Sequence, residues 1–193
     1  MKVLVGNITN LSDARYCAGM GVDLLGFPLG HDPAEIPPST FLEIAAWVTG
    51  PSIVLEYNTS MNKDELANVT TMEAFSHVRL SPQKWSENQQ LFTGKPLILD
   101  TSLDEWDKIS RDYNLPIAYL IIHDTLTEYN KTAIGELNKH IPVLIPFEPL
   151  HLNPEELTDL PVTGIVLEGT REDSPGIKDY EKLASVLEAL EID

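Results

Sequence analysis

The chain has 193 residues, with 30 Asp and Glu against 13 Lys and Arg, a formal charge of -17 and a single cysteine. That acidic balance excludes a nucleic-acid surface and disfavours anionic membranes, both of which are held by clustered Lys and Arg, and no apolar run approaches the ~18 residues of a membrane span. Cys17 has no second cysteine to pair with and no charged-then-apolar leader precedes the first β-branched run, so a reducing cytoplasm is the expected compartment.

At this length one domain, 1–193, is expected, burying roughly 70% of its unfolded surface. Short β-branched and aliphatic runs alternate with amphipathic stretches, and strands are predicted at 2–5, 23–27, 52–56, 76–80, 95–99, 117–122, 142–146 and 163–167. The fourth, Ser76-His77-Val78-Arg79-Leu80, is the least apolar. Helix starts are marked by Asn10, Pro38-Ser39, Ser81-Pro82 and Asn153-Pro154, where a side-chain oxygen accepts from first-turn amides or proline takes a position that needs no amide. Gly21 and Gly50 sit where the first two helices should stop. A last helix, 179–190, places Leu183, Val186, Leu187 and Leu190 on one stripe.

Eight strands each followed by a helical stretch predict a closed (β/α)8 TIM barrel, α/β in class, since closure removes both sheet edges. A typical barrel takes ~250 residues, so this one must be compact with short loops. An open doubly wound sheet is the alternative, but no Gly-rich dinucleotide or phosphate-loop signature follows any strand.

The site of such a barrel lies at the C-terminal strand ends. Five of these carry a carboxylate: Glu56, Asp100, Asp124, Glu148 and Glu168. Adjacent residues at a strand end face opposite ways, so about half should look into the mouth. Asn7 and His123 share the rim. His31, His123 and His151 could join Asp124, Glu148 or Glu168 around a divalent ion, but no pair has the close spacing of a preformed site. A mouth without metal or cofactor is therefore expected.

Val5-Gly6-Asn7-Ile8-Thr9-Asn10 at one end, and Glu168-Gly169 followed by Pro175-Gly176-Ile177-Lys178-Asp179 at the other, resemble the opening and closing segments of phosphoribosylanthranilate isomerase. In that family the first strand ends Ile-Cys-Gly-Ile-Thr-Asn and the last segment reads Val-Ser-Ser-Gly-Val-Glu…Pro-Gly-Ile-Lys-Asp. The resemblance implies a (β/α)8 barrel and an Amadori rearrangement of an aminoaldose phosphate, with a cysteine base after strand one and an aspartate acid after strand six.

Carried onto this chain, the base position is Gly6, and Cys17 lies two turns into the first helix. Ile121-Ile122-His123-Asp124-Thr125 resembles the family's Leu-Leu-Asp-Thr, which puts Asp124 in the acid's place within one residue of register. The family's Ser-Gly-Gly phosphate loop corresponds to Pro146-Phe147-Glu148-Pro149, and its Ser-Ser-Gly turn to Leu167-Glu168-Gly169. Gly169, Thr170 and Arg171 remain as candidates to bind a phosphate or carboxylate. Asp32-Pro33-Ala34-Glu35-Ile36 replaces an arginine-bearing segment, Arg79-Leu80-Ser81-Pro82 replaces Gln-Leu-His-Gly, and 126–131 replaces a Gly-Gly-Thr-Gly-Lys loop.

The expected function is an isomerase-like protein with weak or no isomerase activity, binding a small molecule at the rim, as a monomer or homodimer. Two alternatives stand beside it. One is different chemistry on a small polar substrate through Asp124 with Glu168 or Glu148, which a concave mouth with facing carboxyl groups would favour. The other is a non-catalytic binding or regulatory barrel, which a plugged mouth would favour.

Overall fold

The computed structural model describes residues 1–57, 60–110, 115–150, 154–169 and 181–190. Eight parallel strands, β1 (Lys2–Gly6), β2 (Leu24–Leu29), β3 (Ser52–Tyr57), β4 (His77–Leu80), β5 (Leu97–Thr101), β6 (Ile117–Ile122), β7 (Val143–Pro146) and β8 (Gly164–Glu168), pair in chain order. The barrel closes between β8 and β1, in register from Lys2 opposite Gly164 to Gly6 opposite Glu168. The (β/α)8 barrel expected from the alternation is the observed fold.

Seven α-helices lie among the described residues: α1 (Leu11–Gly19), α2 (Pro38–Ala45), α3 (Lys63–Thr70), α4 (Pro82–Asn88), α5 (Leu103–Ile109), α6 (Glu128–Asn138) and α7 (Glu181–Ala189). Local chemistry sets their ends. The Asn10 side chain accepts from the Asp13 amide at 3.0 Å, and Gly21, at φ 75°, follows the C-terminal cap of α1. Pro38 opens α2 and Ser81 caps α4. Gly50 behaves differently from expectation: α2 ends at Ala45, and Gly50, at φ 110°, serves the turn into β3 instead. Asn153 and residues 179–180 lie outside the described residues. Pro154 starts a 3-10 segment, Pro154–Asp159, in place of a full α-helix. No helix among the described residues is long and apolar enough to cross a membrane.

Strand five also differs, starting at Leu97 rather than at residue 95. Pro96 has no amide to give the ladder, so it contributes only its carbonyl, to the Val78 amide, and pairing by N–H begins one residue later.

Side chains divide by strand alternation. One face of each strand meets the helices in a continuous outer core that includes Val5, Phe27, Leu55, Val78, Leu99 and Ile122. The other fills the barrel with Leu4, Leu24, Val54, Ile98, Ile121, Leu144 and Val166. Two residues further along, that inner face carries Gly6, Gly26, Glu56, Asp100, His123, Pro146 and Glu168, and Arg79 joins them because Val78 faces outward. The apolar plug is thus a floor under a polar upper layer.

Truncating that floor should be costly. Ile121→Ala is expected to lower unfolding free energy by about 3 kcal/mol, whereas Tyr129→Ala, at a side chain 95% exposed, should stay within about 0.5 kcal/mol, as read from chemical denaturation.

Candidate active site in the barrel mouth

Arg79 is the centre of the upper layer. Its side chain, only 12% exposed, leaves β4 and enters the barrel, where an unpaired guanidinium would be prohibitively costly. The two flanking strands, β3 and β5, and β8 across the barrel supply counter-charges. Glu56 Oε1 accepts from Nη1 at 2.7 Å, Asp100 accepts from Nε at 2.9 Å and Nη2 at 3.1 Å in a two-point clamp, and Glu168 Oε1 lies 3.6 Å from Nη2. Glu56 is itself 6% exposed, and its second oxygen accepts from the Asn7 amide at 2.9 Å. Asn7 stands at φ 55°, a left-handed conformation that asparagine tolerates, and its side-chain amide also donates to Glu168 Oε2.

This cluster explains the glycines beneath it. A Cβ on Gly6 would lie 2.7 Å from Arg79 Nη1, 2.7 Å from Glu56 Oε1 and 3.0 Å from Glu168 Oε2. One on Gly26 would overlap the Glu56 carboxyl outright. Gly169 works at the seam: its amide donates to the Gly6 carbonyl at 2.7 Å, and a Cβ there would come within 2.9 Å of the Asn7 carbonyl.

The carboxyl groups are not equivalent. Burial pushes the Asp100 carboxyl up, but the hydrogen bond from His123 and the Arg79 guanidinium outweigh it, leaving its pKa below the ordinary value. Glu168 goes the other way: burial and the charges of Glu56 and Asp100 raise it more than Arg79 and Asn7 lower it. The Arg79 pKa is raised because Glu56, Asp100 and Glu168 outweigh its own desolvation. Above the cluster opens a cavity of about 500 Å³, lined also by Tyr57, Leu80, Ser81 and Lys84, with the Lys84 ammonium 5.6 Å from the Tyr57 ring centre.

The sequence-predicted residues divide around this centre. Asn7, Glu56 and Glu168 line the cavity, and His123 touches it through Asp100, its Nε2 2.7 Å from Oδ1. Asp124 turns away: Oδ2 accepts at 2.8 Å from the amide of Leu103, the first residue of α5. The one-residue register question in strand six is settled by a bulge. Leu97 pairs with Ile117 but Ile98 with Tyr119, so Tyr119, Ile121 and His123 share the inner face and Asp124 points outward. Glu148 is exposed on a 3-10 turn, Glu148–Leu150. His31 pairs with Glu65 at 3.1 Å on the loop side of α3, and Cys17 is buried in the outer core. Thr170, Arg171 and His151 lie outside the described residues. Among the described residues no three His, Cys, Asp or Glu side chains converge on a metal position.

Sequence reasoning placed Asp100 only among the five rim carboxylates and did not single out Arg79 as a site residue. The signal was available in Arg79, one cation flanked by two apolar neighbours in a short strand, since alternation puts it on the face opposite Val78 and Leu80.

No protein-family model and no curated protein sequence matches the chain. Solved structures do. A phosphoribosyl anthranilate isomerase from Thermus thermophilus superposes with a TM-score of 0.68 at 22% identity, covering 98% of each chain. TrpF from Jonesia denitrificans gives 0.71 at 17% identity over 98% of this chain and 96% of that one, and the isomerase from Thermotoga maritima 0.70 at 16% over 100% and 98%. A thiamine phosphate pyrophosphorylase from Pyrococcus furiosus follows at 0.66 and 14%, over 99% and 96%. The chain therefore has the closed (β/α)8 fold shared by these phosphoribosylanthranilate isomerase structures.

Proposed function

We propose that this protein is a phosphoribosylanthranilate isomerase-like barrel that does not carry out the isomerisation, its mouth rebuilt around Arg79. The observation that carries the reading is the space at Gly6. Where the resemblance puts a cysteine base, there is no ionisable group, and the volume a side chain would take is held by Arg79 and Glu56. A missing general base alone costs roughly 10²- to 10⁴-fold in rate.

The anion-binding features point the same way. The Gly169 amide is spent on the Gly6 carbonyl, Pro146 has no amide, and three carboxylates surround the Arg79 guanidinium, a field that repels a phosphorylated substrate. The open cavity above the cluster supports binding of a small polar molecule without phosphate, in preference to a wholly filled mouth. Its acidic surface supports a role apart from nucleic acid.

Purified protein is expected to turn over phosphoribosylanthranilate no faster than a blank, as followed by the loss of its fluorescence. Growth of a strain lacking that isomerase on the wild-type gene would overturn the reading. Restoring the thiol by Gly6→Cys should not rescue activity and should destabilise the protein by about 1–3 kcal/mol, seen as a lower thermal midpoint, because the new side chain overpacks the ionic cluster.

The two shifted carboxyl groups predict opposite pH behaviour. The lowered Asp100 pKa contributes stability that is present above its unfolded value near 3.8 and lost as pH falls through the depressed folded value. Asp100→Asn should therefore cost about 3 kcal/mol at pH 7, with the deficit fading toward pH 3 in urea unfolding. Glu168, with its raised pKa, loses stability as pH rises through the folded value, so Glu168→Gln should gain on wild type between pH 4 and pH 7.

A further inference from the structure

We infer that His123 is the proton-transfer group of the rebuilt mouth, held by Asp100 as the Nε2–H tautomer so that Nδ1 is the base, with Asp100 and Arg79 as its positioning residues. This deepens the proposed reading and rests on it: once the cysteine position is gone, the mouth has another group suited to moving a proton.

Three observations carry it. The bulge between β5 and β6 re-aims strand six so that His123, and not Asp124, stands on the inner face at the C-terminal rim, with its backbone amide continuing the ladder to the Thr101 carbonyl at 3.1 Å. Its side chain is 48% exposed and bonded to Asp100, which lines the cavity, so it stands at the edge of the mouth and open to solvent. Asp100 is not free to turn, because both oxygens are clamped by Arg79, and that leaves Oδ1 aimed at His123 Nε2 at 2.7 Å.

The tautomer follows from elementary hydrogen-bond chemistry. An ionised carboxylate only accepts, so the imidazole nitrogen facing it must carry the hydrogen. The lone pair of the neutral ring is then on Nδ1, which has no partner among the described residues. When a proton passes from substrate to Nδ1, the ring becomes an imidazolium whose charge Asp100 already faces, and the proton returns from Nδ1 to another atom of the substrate. No other reactant is consumed. The chemical class that fits is a small, polar, phosphate-free molecule bearing an acidic C–H or O–H, because Glu56 and Glu168 beside Asp100 disfavour an anion.

His31 is an internal control. It is similarly exposed, 54% against 48%, and its Nε2 also meets a carboxylate, Glu65 at 3.1 Å, but no guanidinium clamps that carboxylate among the described contacts. Diethyl pyrocarbonate acylates an unprotonated imidazole nitrogen, so its rate at each histidine, read by peptide mass spectrometry on the full-length protein, reports an available basic nitrogen. His123 is expected to react about tenfold faster than His31, and Asp100→Asn to remove most of that advantage while leaving the His31 rate unchanged.

Should Asp100→Asn fail to fold, the wild-type imidazole ¹⁵N spectrum decides, with His123→Gln assigning the signal. Nε2–H with bare Nδ1 supports the inference. A His123 rate no greater than that of His31, an Asp100→Asn variant that folds and keeps the full His123 rate, or a predominantly Nδ1–H ring would overturn it. The isomerase assay reads a separate quantity, so either result can fail without the other.

Discussion

A single buried guanidinium organises the upper half of this barrel. Arg79 cannot sit inside the strands without counter-charge, and the counter-charges must come from several strands at once because its nitrogens point in different directions. Once Glu56 reaches inward to meet it, a side chain at Gly6 or Gly26 would crowd the ion cluster. Once Glu56 and Glu168 need donors, Asn7 takes a left-handed turn that offers both its backbone amide and its side-chain amide. The unusual residues of the rim are thus solutions to one problem of charge burial, and removing any one of them leaves the others unsatisfied.

Buried ion clusters of this kind are weak sources of net stability, since desolvation consumes most of the attraction. Their stronger effect is on specificity: few alternative arrangements satisfy four charged groups together. The apolar floor from Leu4 to Val166 supplies the burial energy, while the Arg79 layer fixes which side chains occupy the mouth. That division separates the fold, shared with isomerase and pyrophosphorylase structures alike, from the chemistry of the rim.

Much of the architecture was legible because strand runs and helix starts are local signals. Asn10, Ser81 and Pro38 act where their chemistry said they would. Pro96 moved the start of strand five for an equally local reason, visible in the residue itself. The site was less legible because it depends on which way side chains face across five strands. Asp124 was favoured over His123 on a motif match, and one bulged residue in β6 reversed their orientations, a difference of register that no short motif encodes. The strand that read as least apolar is the one that carries Arg79, whose charge is part of the reason for its composition.

The seam between β8 and β1 has a kinetic consequence. Gly6 and Gly169 are joined by a bond between the two ends of the strand order, so most of the chain lies between its partners and forming it carries a high closure entropy. Glu168, on the last strand, is also the only Arg79 partner that arrives with it; Glu56 and Asp100 belong to strands already adjacent to β4. An assembly lacking β8 can pair Arg79 but leaves the Asn7 side-chain amide without Glu168 and β1 with a bare edge. Closure thus links the final strand to the completion of the mouth, so that a molecule recognising the finished rim would bind only chains whose barrels have shut.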